Sequence, residues 1–343
     1  MAVLLVNISR MQSENFHSDR ISSLVLFSGG LDSQLAVCVL REQGIKAHGI
    51  VFDSPFFDPD IARKAAIALD LPLEVCDFTA DIVSLLENPP HGFGSCMNPC
   101  VDCHALMLKR AGEKMEEQGF NFLATGEVLN ERPKSQNRDA MKIVASGSGY
   151  GSFVLRPLSA HRLDITQPET AGLVDRSRLL ALEGRGRKAQ FALAEKYGLK
   201  DYPSPAGGCR LTEPNFCRRL EDLKNHEGLH GRKNIEMLKY GRHFRLADNV
   251  KAIVGRNEND NAVIEGNAEL YELILKVEEA PGPTAVLPVN SGEEHVLKAA
   301  AICARYSDCP PDLPVRLRLR SARERRHIEI IPARQEDIEK LRI

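Results

Sequence analysis

The feature that most constrains this chain is Ser28-Gly29-Gly30-Leu31-Asp32-Ser33. It lies between the apolar run Leu24-Val25-Leu26-Phe27 and a segment in which Leu35, Val37, Cys38 and Leu40 recur at helical spacing. The pattern predicts a strand, a tight turn and a helix. Adjacent glycines tolerate positive φ and leave backbone N–H groups uncovered, so several amides can converge on one anion. Ser28 and Ser33 add hydroxyl donors, and the following helix points its positive end at the same place. A pyrophosphate fits such a loop. The Gly-Lys-Ser/Thr ending of the Walker signature is absent, which argues against an ordinary P-loop NTPase. Two glycines alone would suit a plain strand-to-helix turn, but the whole hexapeptide between those flanks points to a nucleotide site.

Further strands are predicted at Ala47–Phe52 (ending at Asp53), Leu73–Cys76, Phe122–Ala124 and Phe153–Leu155, with helices at Ile61–Leu69 and Leu106–Gln118. Strands alternating with helices predict a Rossmann-like α/β domain with a parallel sheet and ligands at the carboxyl ends of its strands. Those ends carry Ser28, Asp53, Thr125-Gly126-Glu127 and Arg156-Pro157-Leu158. Residues 160–240 read as mostly helical, interrupted by a loop over Tyr202–Cys209 with two prolines and two glycines. Beyond 241, Val250–Val254 and Ala262–Ile264 read as strands around an Asn/Asp-rich turn, and Leu270, Leu273, Ile274 and Val277 as a helix face. Val315, Leu317 and Leu319 alternate with Arg316, Arg318 and Arg320, which predicts a strand with one buried and one arginine face. Ile328 and Ile330 are its expected hairpin partner, with Arg323, Arg325 and Arg326 near the turn. The expected organisation is an N-terminal extension over 1–20, the parallel-sheet domain over 21–180, a helical linker region over 181–240 carrying Cys209, and a smaller α+β domain over 241–343.

The hexapeptide resembles the Ser-Gly-Gly-X-Asp-Ser loop of the PP-loop ATP pyrophosphatases at every defined position. That resemblance implies a HUP-like fold and cleavage of ATP between its α and β phosphates, with adenylation of a substrate carbonyl. It also implies that Ser28, Gly29, Gly30, Asp32 and Ser33 hold the pyrophosphate. Asp32 is expected on Mg²⁺ or a loop amide rather than on phosphate, because like charges repel. By the same resemblance, Asp53 and Gly126 lie near adenosine.

Nine cysteines in a chain expected to lack a signal peptide and a membrane span and to be cytoplasmic do not suggest a disulfide framework. Clustered ones therefore read as ligands or catalysts. Asn98-Pro99-Cys100-Val101-Asp102-Cys103 places two thiols in a loop ahead of a helix expected to begin near Ala105, where a helix N-terminus favours thiolates. Cys209 lies in the Pro/Gly loop. The segment resembles the catalytic loop of PP-loop tRNA thiolases, with Cys209 matching their second-loop cysteine. Thr125-Gly126-Glu127-Val128-Leu129, Ser135-Gln136 and Arg156-Pro157-Leu158 resemble motifs of 4-thiouridine synthetases. In iron–sulfur members, three such cysteines hold a [4Fe-4S] cluster with one iron open to sulfide. A persulfide or disulfide relay through Cys100, Cys103 and Cys209 remains open, as does zinc with Cys96 or Cys217 as a fourth ligand. Cys38, Cys76, Cys303 and Cys309 are expected in packing, and His104 on the helix surface.

The chain has 343 residues, 43% hydrophobic and 27% charged, with a formal net charge of −2. That total hides an asymmetry: residues 216–256 hold ten Lys/Arg against five Asp/Glu, and 257–294 one against nine. A basic face is therefore compatible with the total. Ile253-Val254-Gly255-Arg256-Asn257, followed by Asn259-Asp260, resembles the RNA-binding domain of the NFACT family and implies contact with structured RNA. Arg256, Arg316, Arg318 and Arg320 are the candidate RNA contacts, although the alternating arginines also suit a solvated face. With 27 residues ahead of Ser28, no THUMP module is expected, and the NFACT-like segment would take its place.

The resulting expectation is an ATP-dependent tRNA uridine sulfurtransferase. Its cofactors would be ATP, Mg²⁺ and a [4Fe-4S] cluster. Its partners would be tRNA and a sulfide or persulfide donor, with no membrane and with a homodimer left open. The alternatives are a PP-loop ligase or amidotransferase acting on a small metabolite or nucleobase, and a non-catalytic RNA-binding regulator.

Overall fold

The computed structural model describes residues 21–132, 135–204, 208–268, 273–322 and 324–343. The expected extension 1–20, Leu270, Arg323 and the loop positions 205–207 lie outside them. The chain forms two compact units. The first holds the described residues up to Gly94 and those from Asn98 to Gly208; the second holds Ser95–Met97 and Cys209–Ile343.

The first unit is built on five parallel strands, β1 (Ser22–Leu26), β2 (Lys46–Asp53), β3 (Leu73–Asp77), β4 (Phe122–Thr125) and β5 (Val154–Leu155), in the order β3-β2-β1-β4-β5. Its helices are α1 (Leu31–Glu42), α2 (Asp60–Ala68), α3 (Thr79–Glu87), α4 (Cys100–Gln118), α5 (Arg138–Ser148), α6 (Gln167–Thr170) and α7 (Lys188–Tyr197). Val25, Phe27, Phe122 and Ala124 join Leu35 and Val39 of α1 and Ala62 and Ala65 of α2 in one core. Strand alternation turns Leu24 and Leu123 the other way, and they too are buried, so the sheet is covered on both faces. The expected parallel sheet is therefore present. The helix that carries the Cys-X-X-Cys pair starts earlier than its apolar periodicity suggested: Pro99 precedes its first turn, and Cys103 N donates to Pro99 O at 2.8 Å. Cys100 and Cys103 are thus helical, not part of a loop.

In the second unit, α8 (Pro214–His226) and α9 (Arg232–Met237) precede an antiparallel sheet with helices on it. Its strands are β6 (Arg242–Ala247), β7 (Val250–Val254), β8 (Leu273–Val277), β9 (Thr284–Leu287), β10 (Val315–Arg320) and β11 (Arg325–Ile330), in the order β11-β10-β8-β9-β7-β6. Its further helices are α10 (Glu258–Gly266), α11 (Glu293–Arg305) and α12 (Gln335–Leu341). Two expectations fail here. Leu273–Val277 is a central strand rather than a helix face: Leu273 and Leu275 enter the core against Ala299 and Cys303, while Ile274 joins Ile253, Ile264 and Val286 on the opposite side. A strand buried on both faces loses its alternation and can mimic helical spacing. Ala262–Ile264 is helical, and the Asn/Asp-rich stretch is its cap, with Asn257 Oδ1 accepting from Asp260 N at 2.9 Å. β10 and β11 form the expected hairpin, with Val315, Leu317 and Leu319 buried and the intervening arginines exposed. No helix among the described residues is long and apolar enough to cross a membrane.

Candidate functional site

Strand order reverses between β1 and β4, and the loops leaving their carboxyl ends flank the crevice where parallel α/β sheets bind ligands. Ser28–Ser33 leaves β1, and Thr125-Gly126-Glu127 leaves β4. Gly29 has φ +77°, and a Cβ there would meet Ile61 O at 2.6 Å and Ala62 Cα at 2.7 Å. At Gly126 a Cβ would fall 2.5 Å from the Asp32 carbonyl carbon and Ser33 N. Only glycine fits either position, and the second brings the β4 end against the start of α1. Ser33 Oγ donates to Gly30 O at 2.8 Å, and Gly30 N approaches Ser28 Oγ at 3.4 Å. Buried Gln34 braces the turn from behind, its Nε2 donating to Gly29 O at 2.8 Å. Ser28, Gly29, Gly30, Asp32, Ser33 and Gly126 are thus gathered in one place. Asp53 lies at the carboxyl end of β2, the neighbouring strand.

Arg187 and Glu131, which the sequence did not single out, join Asp32 on this surface. Arg187 Nη2 lies 3.3 Å from Asp32 Oδ2, and its Nε lies 3.5 Å from Glu131 Oε1. Asp32 Oδ1 is buried and has no hydrogen-bond partner among the described residues. Burial raises the Asp32 carboxyl above its ordinary range, with Arg187 and Arg132 opposing. Burial raises Glu131 as well, and the Asp32 charge adds to that. Beside them, Arg156 Nε donates to Glu127 Oε2 at 2.8 Å, and Thr125 Oγ1 donates to the same oxygen at 3.0 Å. Burial works against the Glu127 carboxylate, but Arg156, His104 and Thr125 outweigh it and hold the group below its ordinary range. His104 is half-buried rather than on an open helix surface, and burial lowers its imidazole while Glu127 opposes. The motif Thr-Gly-Glu at a strand end was the only sequence signal for Glu127; Arg187 and Glu131 gave none.

The Cys-X-X-Cys pair occupies the first turn of α4, where i and i+3 share a helix face and the helix end favours thiolates. Asn98 Nδ2 donates to Cys100 Sγ at 3.3 Å, the kind of hydrogen bond that stabilises a thiolate ligand. Between the cysteines, buried Asp102 accepts from His91 N at 3.0 Å, and His91 Nδ1 lies 2.5 Å from its Oδ1. Cys209 belongs to the second unit, where its carbonyl accepts from Thr212 Oγ1 at 2.7 Å and Thr212 N at 3.1 Å. Among the described residues no cluster of three or more His, Cys, Asp or Glu side chains is arranged to hold a metal ion. Cys303 is a packing residue, its thiol pushed up to about 12 by burial.

On the second unit, Arg316, Arg318 and Arg320 project from one face of β10, and Arg318 lies in register between Lys276 of β8 and His327 of β11. Glu278 pairs with Arg316 at 3.4 Å and with His327 at 3.2 Å, Glu265 pairs with Lys276 at 2.6 Å, and Glu329 lies in register with Arg316, so the basic stripe is partly neutralised. Arg256 does not join it. Its guanidinium grips Asp260 at 2.6 and 3.2 Å and donates to Lys239 O at 3.0 Å, fixing the start of α10.

Residues 20–167 match the family model of thiamine biosynthesis protein (ThiI), and residues 241–342 match that of the NFACT protein RNA binding domain. The tRNA-specific 2-thiouridylase MnmA of Geotalea uraniireducens (strain Rf4) is 24% identical over 236 residues, which cover 61% of this chain and 59% of that protein. The tRNA sulfurtransferase of Desulfurococcus amylolyticus (strain DSM 18924 / JCM 16383 / VKM B-2413 / 1221n) is 24% identical over 313 residues, covering 85% of this chain and 55% of that protein. The chain therefore spans only about half the length of the curated relatives it matches. A solved 4-thiouridine synthetase–RNA complex with bound ATP is 18% identical at a TM-score of 0.35, covering 64% of this chain and 52% of that one. Residues 20–167 are thus similar to the ThiI family, and residues 241–342 to the NFACT-type RNA-binding domains.

Proposed function

We propose that this chain is an ATP-dependent tRNA uridine sulfurtransferase. The observation that carries the reading is the pair of glycine-locked loops at the β1/β4 switch point, in the same unit as a Cys-X-X-Cys pair on a helix N-terminus. Ser28, Gly29, Gly30 and Ser33 would receive the β and γ phosphates of ATP, and Asp53 and Gly126 would border the nucleoside. The unpartnered Asp32 Oδ1 suits Mg²⁺ on the phosphates, and Arg187 offsets charge on the departing pyrophosphate. A uridine carbonyl oxygen attacks the α-phosphorus, the bond to the bridging oxygen breaks, and pyrophosphate leaves. A sulfur nucleophile then adds at the activated carbon and AMP departs with the oxygen, leaving thiouridine.

Cys100 and Cys103, one helical turn apart, would supply two of the thiolates of a [4Fe-4S] cluster, which when bound supplies an iron open to sulfide. The Asn98 hydrogen bond to Cys100 suits that donor set, and a persulfide on the same thiols is the competing route. Arg316, Arg318 and Arg320, with Lys276, would hold the RNA backbone.

The test is pyrophosphate release from ATP with and without tRNA, joined to mass spectrometry of the tRNA nucleosides, using anaerobically purified protein. Thiouridine formation that is lost in Cys100→Ala, Cys103→Ala and Cys209→Ala is expected. Pyrophosphate release that ignores tRNA and all three cysteines would instead establish a PP-loop ligase or amidotransferase. Iron and labile sulfide analysis separates the cluster from the persulfide route.

A further inference from the structure

Two thiols outside the set just discussed meet within the second unit. Cys217, in the first turn of α8, is 6% exposed, and its Sγ donates to Leu211 O at 3.2 Å. Cys96 is half-buried, and its Sγ reaches Thr212 O at 3.9 Å. The two thiols therefore contact neighbouring carbonyls of the one turn Arg210–Thr212, Cys217 those of Arg210 and Leu211 and Cys96 that of Thr212. That shared turn brings them into the same small region of the second unit.

We infer that Cys96 and Cys217 form a reversible disulfide, a redox site distinct from the cysteines proposed for sulfur transfer. The order of reaction follows from the surroundings. Cys217 is buried and Cys96 is the more accessible of the two, so Cys96 attacks first. The Cys96 thiolate attacks a small-molecule disulfide, forming a mixed disulfide and expelling one thiolate. The Cys217 sulfur then gives up its proton, attacks the Cys96 sulfur and expels the second thiolate. The protein loses two protons and two electrons, and the small disulfide becomes two thiols. In sequence the crosslink encloses Cys100, Cys103 and Cys209, and it ties the backbone just ahead of Cys100 to α8. The inference holds whatever group the enzyme modifies.

The experiment equilibrates the full chain in glutathione buffers from reducing to oxidising, blocks free thiols with iodoacetamide and separates the products on a non-reducing gel. Closing so long a loop should produce a faster-migrating band, absent from both Cys96→Ser and Cys217→Ser and kept in Cys38→Ser. Because Cys217 is buried, Cys96→Ser carries the argument should Cys217→Ser misfold. Cyanogen bromide cleavage at Met97, which separates Cys96 from Cys100, followed by trypsin, should give a Cys96 fragment linked to Leu211–Arg218. Finding Cys96 and Cys217 alkylated under conditions that oxidise other cysteines would overturn the inference. A disulfide joining Cys96 to any other partner would also overturn it.

Discussion

At the scale of single residues, the crevice depends on two missing side chains. Gly29→Ala forces a methyl group against the Ile61 carbonyl at positive φ, and Gly126→Ala drives one into the Asp32–Ser33 backbone. Each should cost about 1–3 kcal/mol in strain and displace the loop, with a loss of roughly 10²-fold in pyrophosphate release. Steady-state kinetics beside denaturant titrations separate the two effects. Glu127 makes a second case. Its carboxylate lies below the ordinary range, so its contribution to stability is complete above that range and lost as pH falls through the depressed value. Glu127→Gln leaves Arg156 buried without its ion-pair partner and should destabilise the protein by about 3 kcal/mol near neutral pH. The gap between variant and wild type should close in urea titrations taken to acid pH.

At the scale of elements, a cap fixes the start of α10. Asn257→Ala removes the side chain that holds Asp260 N and should cost about 1 kcal/mol in urea denaturation, because the cap is one hydrogen bond among several at that helix start. The same helix shows why parts of the fold were hidden in the sequence. Its Asn/Asp run is a turn signal and a capping signal at once, and only the packing of Ile264 beside Ile253 and Val286 selects between them. The β1–loop–α1 unit and the β10–β11 hairpin were legible because each carries its own period, and each has a face whose fate the pattern fixes. β8 was not, since burial on both faces erases the alternation. Among the candidate site residues, the Ser28–Ser33 loop and Gly126, which the fold brings together, could be read from local motifs. Arg187 could not, because its partner Asp32 is distant in sequence and charge pairing leaves no periodic trace.

For the molecule as a whole, charge is arranged rather than abundant. A net charge of −2 predicts weak affinity for a polyanion, yet Arg316, Arg318 and Arg320 stand on one exposed strand face beside Lys276. Replacing the three arginines by glutamate should leave the core intact, because Val315, Leu317 and Leu319 are untouched. It should also flatten the dependence of log K on log salt by roughly 0.7–0.9 for each phosphate that the stripe no longer neutralises. Filter binding of tRNA across a salt series, with circular dichroism as a folding control, measures both.

The assignment of Ser95–Met97 to the second unit has a consequence in time. When this segment leaves the ribosome, α8 and the turn it rests on have yet to be made, and at 5–20 residues per second they follow by roughly ten seconds. For that interval the stretch leading into Cys100 is without the turn it rests on in the folded protein. A chaperone or a premature oxidant acting on the growing polypeptide would meet Cys96 before Cys217 has been translated.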